Sequence, residues 1–235
     1  MNIERRISPN FDARDPVVSL QFIVLHYTGM KTGEEALVRL CDPAAKVSAH
    51  YVVEEDGRIF QLVEEKNRAW HAGKSFWRGI ADLNSASIGI ELVNPGHEHG
   101  YQAFPKAQIE SLKNLLRDII KRHNLNAKTA PLAHADVAPL RKEDPGELFP
   151  WRELAKDGIG LWPEPSLGDY AFAHDAEVQN LLRAIGYDCP ASGSYDLPTR
   201  AALLAFQRHY HPENLTGTPE RETVARLRTI KKKIS

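Results

Sequence analysis

The stretch Leu20-Gln21-Phe22-Ile23-Val24-Leu25-His26-Tyr27-Thr28 decides the fold class. Its apolar part is too short for a helix of ordinary length and predicts a buried strand. The run then stops on His26, Tyr27 and Thr28, so polar chemistry stands at a strand end. Downstream, Thr32 is placed to cap a short helix, with Glu35 three residues later completing a capping box before Ala36, Leu37, Val38 and Leu40. Strands are predicted at Ala49–Val53 and Ile59–Val63, joined through the Asp56-Gly57 turn of a hairpin, and again at Ser87–Val93. Pro105 suits a first helical position, and Ile109, Leu112, Leu116, Ile119 and Ile120 then mark one apolar stripe of a long helix. Strands interleaved with helices through Leu154 predict an α/β domain, a mixed central sheet flanked by helices.

The pattern changes after that point. Lys156–Tyr170 carries Gly158, Gly160, Pro163, Pro165 and Gly168 with no sustained period, the composition of a linker. Beyond it, Val178, Leu181, Leu182 and Ile185, then Leu203, Phe206 and Tyr210, then Val224 and Leu227, trace three short helices. They predict a second, smaller all-α domain of about 65 residues, within the range that folds alone.

Composition excludes several classes. In 235 residues, 42% are hydrophobic and 26% charged, with 15 Gly and 15 Pro, which rules out disordered and collagen-like chains. Thirty basic against 31 acidic side chains leave a net charge of −1, so no broad attraction to nucleic acid or anionic lipid is expected. Cys41 and Cys189 are too few for a disulfide framework. No run reaches the roughly 18 apolar residues of a membrane span, and Met1–Asp15 is charged where a signal peptide would be apolar.

Ten histidines invite a metal search. HExxH is absent, since His97-Glu98-His99 is followed by Gly100 and Tyr101, and His97 and His99 are read as a polar loop. A stronger set is His26 at the strand end, His134 opening HADVAPLRKEDPG, and Asp144 ten residues later. Two imidazoles and a carboxylate are the three-ligand set of a catalytic zinc, whereas a closed structural site usually contains cysteine. Strand-end histidines and loop aspartates also serve as hydrogen-bonding and turn residues, and spacing by itself leaves both readings open.

The runs FIVLHYT (Phe22–Thr28), VSAHYVV (Val47–Val53), RAWHAG (Arg68–Gly73), SIGIELVN (Ser87–Asn94) and HADVAPLRKEDPG (His134–Gly146) resemble, in order, the type 2 zinc-dependent N-acetylmuramoyl-L-alanine amidases of the AmpD-like and AmiD-like branch. The resemblance covers about Ile23 to Leu154. VQNLLRAIGY (Val178–Tyr187), the Gly193–Asp196 turn and TRAALLAFQRHY (Thr199–Tyr210) resemble the small peptidoglycan-binding module. Together they imply a catalytic domain over 1–155, a linker over 156–170 and a wall-binding domain over 171–235. Tethering of that kind raises the local substrate concentration.

The resemblance implies one zinc ion on His26, His134 and Asp144, with Glu91 as the base and Lys142 beside the reacting carbonyl. By strand alternation Glu91 would equally face solvent, and Lys142 lies in a charged run that reads as a solvated turn. A tyrosine used by the phage lysozyme-type branch is replaced by Ala49, before His50, which favours the glutamate-dependent branch. His50 and His71 are assigned to structure or the substrate groove, and Trp70, Phe76 and Trp77 to the groove's aromatic lining. Asn214-Leu215-Thr216, a glycosylation acceptor pattern, is given no role.

The implied reaction is hydrolysis of the amide between N-acetylmuramic acid, or its 1,6-anhydro form, and L-alanine of peptidoglycan or soluble muropeptides. A recognition protein that binds without cutting, and a zinc peptidase acting within the stem peptide, are the alternatives. The missing export signal favours the cytoplasm, the wall-binding module favours the envelope, and a segment removed ahead of Met1 would reconcile the two.

Overall fold

A computed structural model, describing residues 2–235, puts the decisive run on an interior strand of a six-stranded sheet, one place from its edge. In chain order the elements are β1 (Ile3–Arg5), β2 (Phe11–Ala13), β3 (Phe22–Tyr27), α1 (Gly33–Cys41), β4 (Tyr51–Val53), β5 (Ile59–Gln61), β6 (Asn67–Ala69), α2 (Leu83–Ala86) and β7 (Ser87–Leu92). Then come α3 (Gly96–His99), α4 (Lys106–Arg122), β8 (Pro131–Ala133), α5 (His134–Val137) and α6 (Trp151–Lys156). After a 3₁₀ turn at Leu167–Tyr170, the chain ends in α7 (Asp175–Ile185), α8 (Leu197–Tyr210) and α9 (Arg221–Ile234).

The main sheet runs β1-β5-β4-β7-β3-β8, and its pairs are parallel except β4 with β5. This is the mixed sheet expected, and β2 with β6 forms a separate antiparallel pair. Ile23, Val24, Leu25, Ile88 and Ile90 are fully covered. Cover on both faces explains why β3 reads as a continuous apolar run rather than an alternating one, whereas β7 alternates Gly89 and Glu91 with Ile88, Ile90 and Leu92. Burying each such side chain contributes about 2 kcal/mol. Thr32 caps α1 through its hydroxyl, which accepts from the Glu35 N–H at 3.2 Å. No helix among the described residues is long and apolar enough to cross a membrane.

Parallel pairing sets the site. In the β3/β7 register His26 stands opposite Glu91, and Leu25 stands opposite Ala133, the last residue of β8. The carboxyl ends of β7, β3 and β8 therefore deliver Glu91, His26 and His134 to one edge, where open α/β sheets form their crevices.

The start of the 156–170 segment packs on the first domain. Ile159 is buried and the Gly160 N–H donates to the Ala127 carbonyl at 2.8 Å. The segment's 3₁₀ turn packs instead on α9, where the Tyr170 hydroxyl donates to Glu222 at 2.7 Å. The three C-terminal helices also share the first domain's core: Trp77 meets Tyr187 edge-on at 4.9 Å, and Trp151 stacks on His209 at 3.7 Å.

Candidate metal centre and active site

Three ligand-type atoms converge. His26 Nδ1 lies 2.9 Å from His134 Nδ1 and 3.1 Å from Asp144 Oδ2, and His134 Nδ1 lies 3.0 Å from Asp144 Oδ2. All three residues are buried, at 2%, 3% and 6% exposure.

The hydrogen bonds behind them fix the protons. Ser87 gives its hydroxyl hydrogen to the Leu83 carbonyl, which can only accept, so it receives the Nε2–H of His71 at 3.3 Å. His71 Nδ1 is then an acceptor and takes the Nε2–H of His26 at 3.1 Å. On the other side, His134 donates its Nε2–H to the Ala72 carbonyl at 3.2 Å. Both Nδ1 atoms are thereby left as bare lone pairs facing a carboxylate oxygen. Three acceptors about 3 Å apart with no proton between them repel one another unless a cation lies among them. Tetrahedral bonds of about 2.0–2.2 Å would space such atoms by about 3.3 Å. The residues fit a metal ion.

Electrostatics agree. Burial, reinforced by the neighbouring His134, pushes His26 down to about 4, which keeps its imidazole neutral as a ligand must be. Burial alone would raise Asp144, but contact with His134 and His26 outweighs it and holds the carboxyl well below its ordinary range. Glu91 sits across the register from His26 with Oε2 buried and without a hydrogen-bond partner. Burial first, and the Asp144 charge second, push it well above the usual carboxylate range, opposed by the Lys142 ammonium. These groups line an open cavity of about 550 Å³ with Trp70, His71, Tyr27 and His97.

Residues 15–147 match the N-acetylmuramoyl-L-alanine amidase family, and residues 176–227 match a peptidoglycan binding domain.

The chain belongs to the N-acetylmuramoyl-L-alanine amidases.

Among its relatives, the N-acetylmuramoyl-L-alanine amidase AmiD of Escherichia coli is 38% identical over 226 residues, spanning 88% of this chain and 80% of that protein. The 1,6-anhydro-N-acetylmuramyl-L-alanine amidase AmpD of Haemophilus influenzae is 34% identical and covers 61% of this chain and 85% of its own length. The solved structure of AmpDh3 from Pseudomonas aeruginosa in complex with anhydromuramic pentapeptide superposes with a TM-score of 0.83 at 32% identity, covering 92% of each chain. This protein is accordingly an amidase, a hydrolase of the bond between N-acetylmuramic acid and L-alanine.

The geometry sorts the remaining residues expected at the site of the amidase. Trp70 lines the cavity. Trp77 does not: it is buried against Tyr187 and Gly186 of the helical domain, because that domain covers its face. His50 also lies off the cavity, fully buried, its Nδ1 accepting the Gly89 N–H at 2.9 Å and its Nε2 facing the Asn67 carbonyl and Arg14. His71 borders the cavity but is engaged behind His26. Lys142 is exposed on the cavity rim. His97, assigned to a polar loop, accepts from the Tyr27 hydroxyl at 3.0 Å, donates toward Glu147 at 3.2 Å and stacks on Tyr101. No local spacing signals that cluster, because its members meet only through the tertiary fold.

Proposed function

We propose that the amidase works with one zinc ion held by His26 Nδ1, His134 Nδ1 and Asp144 Oδ2, on muropeptides or peptidoglycan that carry L-alanine on the muramic lactyl group. The observation that carries this reading is the convergence of three deprotonated ligand atoms at an open cavity, with Glu91 opposite His26. Zinc bound there supplies Lewis acidity, which makes a water acidic near neutral pH and polarises an amide carbonyl.

The chain's own groups do the rest. Glu91 is the base: its oxygen without a partner has free capacity to take the water's proton. The same carboxyl then returns that proton to the departing L-alanine nitrogen, which leaves poorly as an anion. Its raised pKa suits holding the proton between the two transfers. The Lys142 ammonium offsets negative charge developing on the carbonyl oxygen, an effect worth about 3 kcal/mol where such donors have been removed. His71 and the Ala72 carbonyl orient the two imidazoles. Trp70 offers a flat aromatic face to a sugar ring. The domain assignment, 1–155 for catalysis, 156–170 as connector and 171–235 for wall binding, is part of this proposal, supported by the two family matches.

Product analysis on a defined muropeptide, with and without the 1,6-anhydro ring, tests the proposal. Release of the L-alanine-led peptide should stop with chelator and return with Zn²⁺ at one equivalent per chain. Turnover indifferent to chelation, or cleavage that leaves L-alanine on the sugar, would overturn it.

A further inference from the structure

The His134–Asp144 segment is fastened from outside by the helical domain. Asp136, two residues after His134, is a buried carboxylate. Its Oδ1 accepts from the Tyr187 hydroxyl at 2.6 Å, and its Oδ2 faces His209 Nδ1 at 2.7 Å and accepts the Ala133 N–H at 2.9 Å. Asp136, Tyr187 and His209 are at most 2% exposed. Two of those three partners thus come from the C-terminal domain, Tyr187 just beyond α7 and His209 on α8, and the third is the residue immediately before His134. Next to His209, Arg208 reaches Glu143 Oε2 at 3.1 Å, one residue before Asp144, while its Nε lies 4.0 Å from Glu147. The segment closes on itself through the Ala135 N–H, which donates to the Asp144 carbonyl at 2.9 Å. Adjacent residues of α8 therefore grip it near both ends.

We propose that the helical domain positions the metal ligands of the amidase, with Tyr187, Arg208 and His209 as positioning residues acting through Asp136 and Glu143. The inference rests on the zinc reading above. A buried carboxylate that loses a donor either rotates or draws in water, and Asp136 also holds the N–H of Ala133. Turning it shifts the backbone that carries His134. Metal sites tolerate displacements of only about 0.5 Å, and losing an orienting partner typically weakens binding about 10- to 100-fold. Other contacts across the same interface lack this property: Arg78 donates Nε–H to the Ile185 carbonyl at 2.9 Å without touching the segment.

The test uses the full chain, metal-stripped, with Zn²⁺ affinity read by competition against a chelating dye well below the unfolding temperature. Y187F removes one hydroxyl. H209F removes the ring donor but keeps an aromatic face against Trp151. Both should raise the Zn²⁺ Kd about tenfold. H209N, which retains an amide N–H near the Nδ1 position, should bind more tightly than H209F although it loses the stack. R78M should lower Tm and leave Kd unchanged. Should H209F fail to fold, Y187F still decides. Equal Kd values for wild type and Y187F, with His26→Ala weaker, would overturn the positioning role alone. A wild type that binds Zn²⁺ no better than His26→Ala would overturn the metal reading and this inference with it.

Discussion

A carboxylate oxygen buried without a partner costs free energy that a purely structural residue would have no reason to bear, and Glu91 carries one beside His26. Glu91→Gln keeps the shape and removes the basicity. Its kcat should fall about 10²- to 10⁴-fold with zinc content unchanged, checked by steady-state kinetics beside metal analysis. The pH profile follows from the same group. A base works deprotonated, and burial raises its pKa, so kcat/KM should fall on the acid side above the ordinary glutamate value of about 4.3. Lys142 opposes that rise. Lys142→Met should accordingly move the acid limb to still higher pH while lowering kcat. In the sequence these two side chains are nominated by the family resemblance, not by local spacing. The direction of Glu91 was not legible there, since alternation alone allowed it to face solvent, and only the parallel register with β3 turns it to the face of His26.

At the scale of elements, β7 contributes through a missing side chain as much as through Glu91. A methyl group built on Gly89 would overlap the imidazole ring of His71, which supports His26 from behind. Gly89→Ala should therefore weaken Zn²⁺ binding by about tenfold or more in a protein whose far-ultraviolet circular dichroism remains close to wild type. A second cluster ties the end of α4 to the sheet. Burial pushes Glu65 up, but Arg122, His123 and Tyr51 outweigh it and leave the carboxyl at about 2. His123 Nε2 lies 2.6 Å and the Tyr51 hydroxyl 2.7 Å from it. A folded-state pKa below the unfolded one stabilises above about pH 4.3 and loses that contribution as pH falls toward 2. Urea midpoints of Glu65→Gln should lie below wild type at pH 7 and converge with it between those limits. The long α4 and the three C-terminal helices were visible as periodicity and β3 as an unbroken apolar run; β4 and β5, only three residues each, were marked by the Asp56-Gly57 turn between them, a signal that the equally short β1, β2, β6 and β8 lack.

For the whole molecule, the consequence of a shared core is cooperativity. Trp77 and Trp151 from the first domain and Tyr187, Phe206 and Leu182 from the second belong to one continuous buried cluster. Thermal unfolding followed by circular dichroism and by tryptophan fluorescence should show one coincident transition rather than two. Trp151→Ala, which empties the stack on His209, should cost about 3 kcal/mol or more and shift both probes together; two separated transitions would contradict the shared core.

The sequence by itself determined the succession of strands and helices and the change to helices alone after the Gly- and Pro-rich segment, because these depend on neighbours a few positions apart; His26, His134 and Asp144 it nominated only through ordered motifs more than 100 residues apart. The tertiary structure decided which nitrogen of each histidine is bare, which of His50, His71, Trp70 and Trp77 borders the cavity, and that the helical domain grips the His134–Asp144 segment. Proton placement and burial depend on partners such as Leu83, Ala72 and Tyr187, brought together only when chain segments distant in sequence pack into one core.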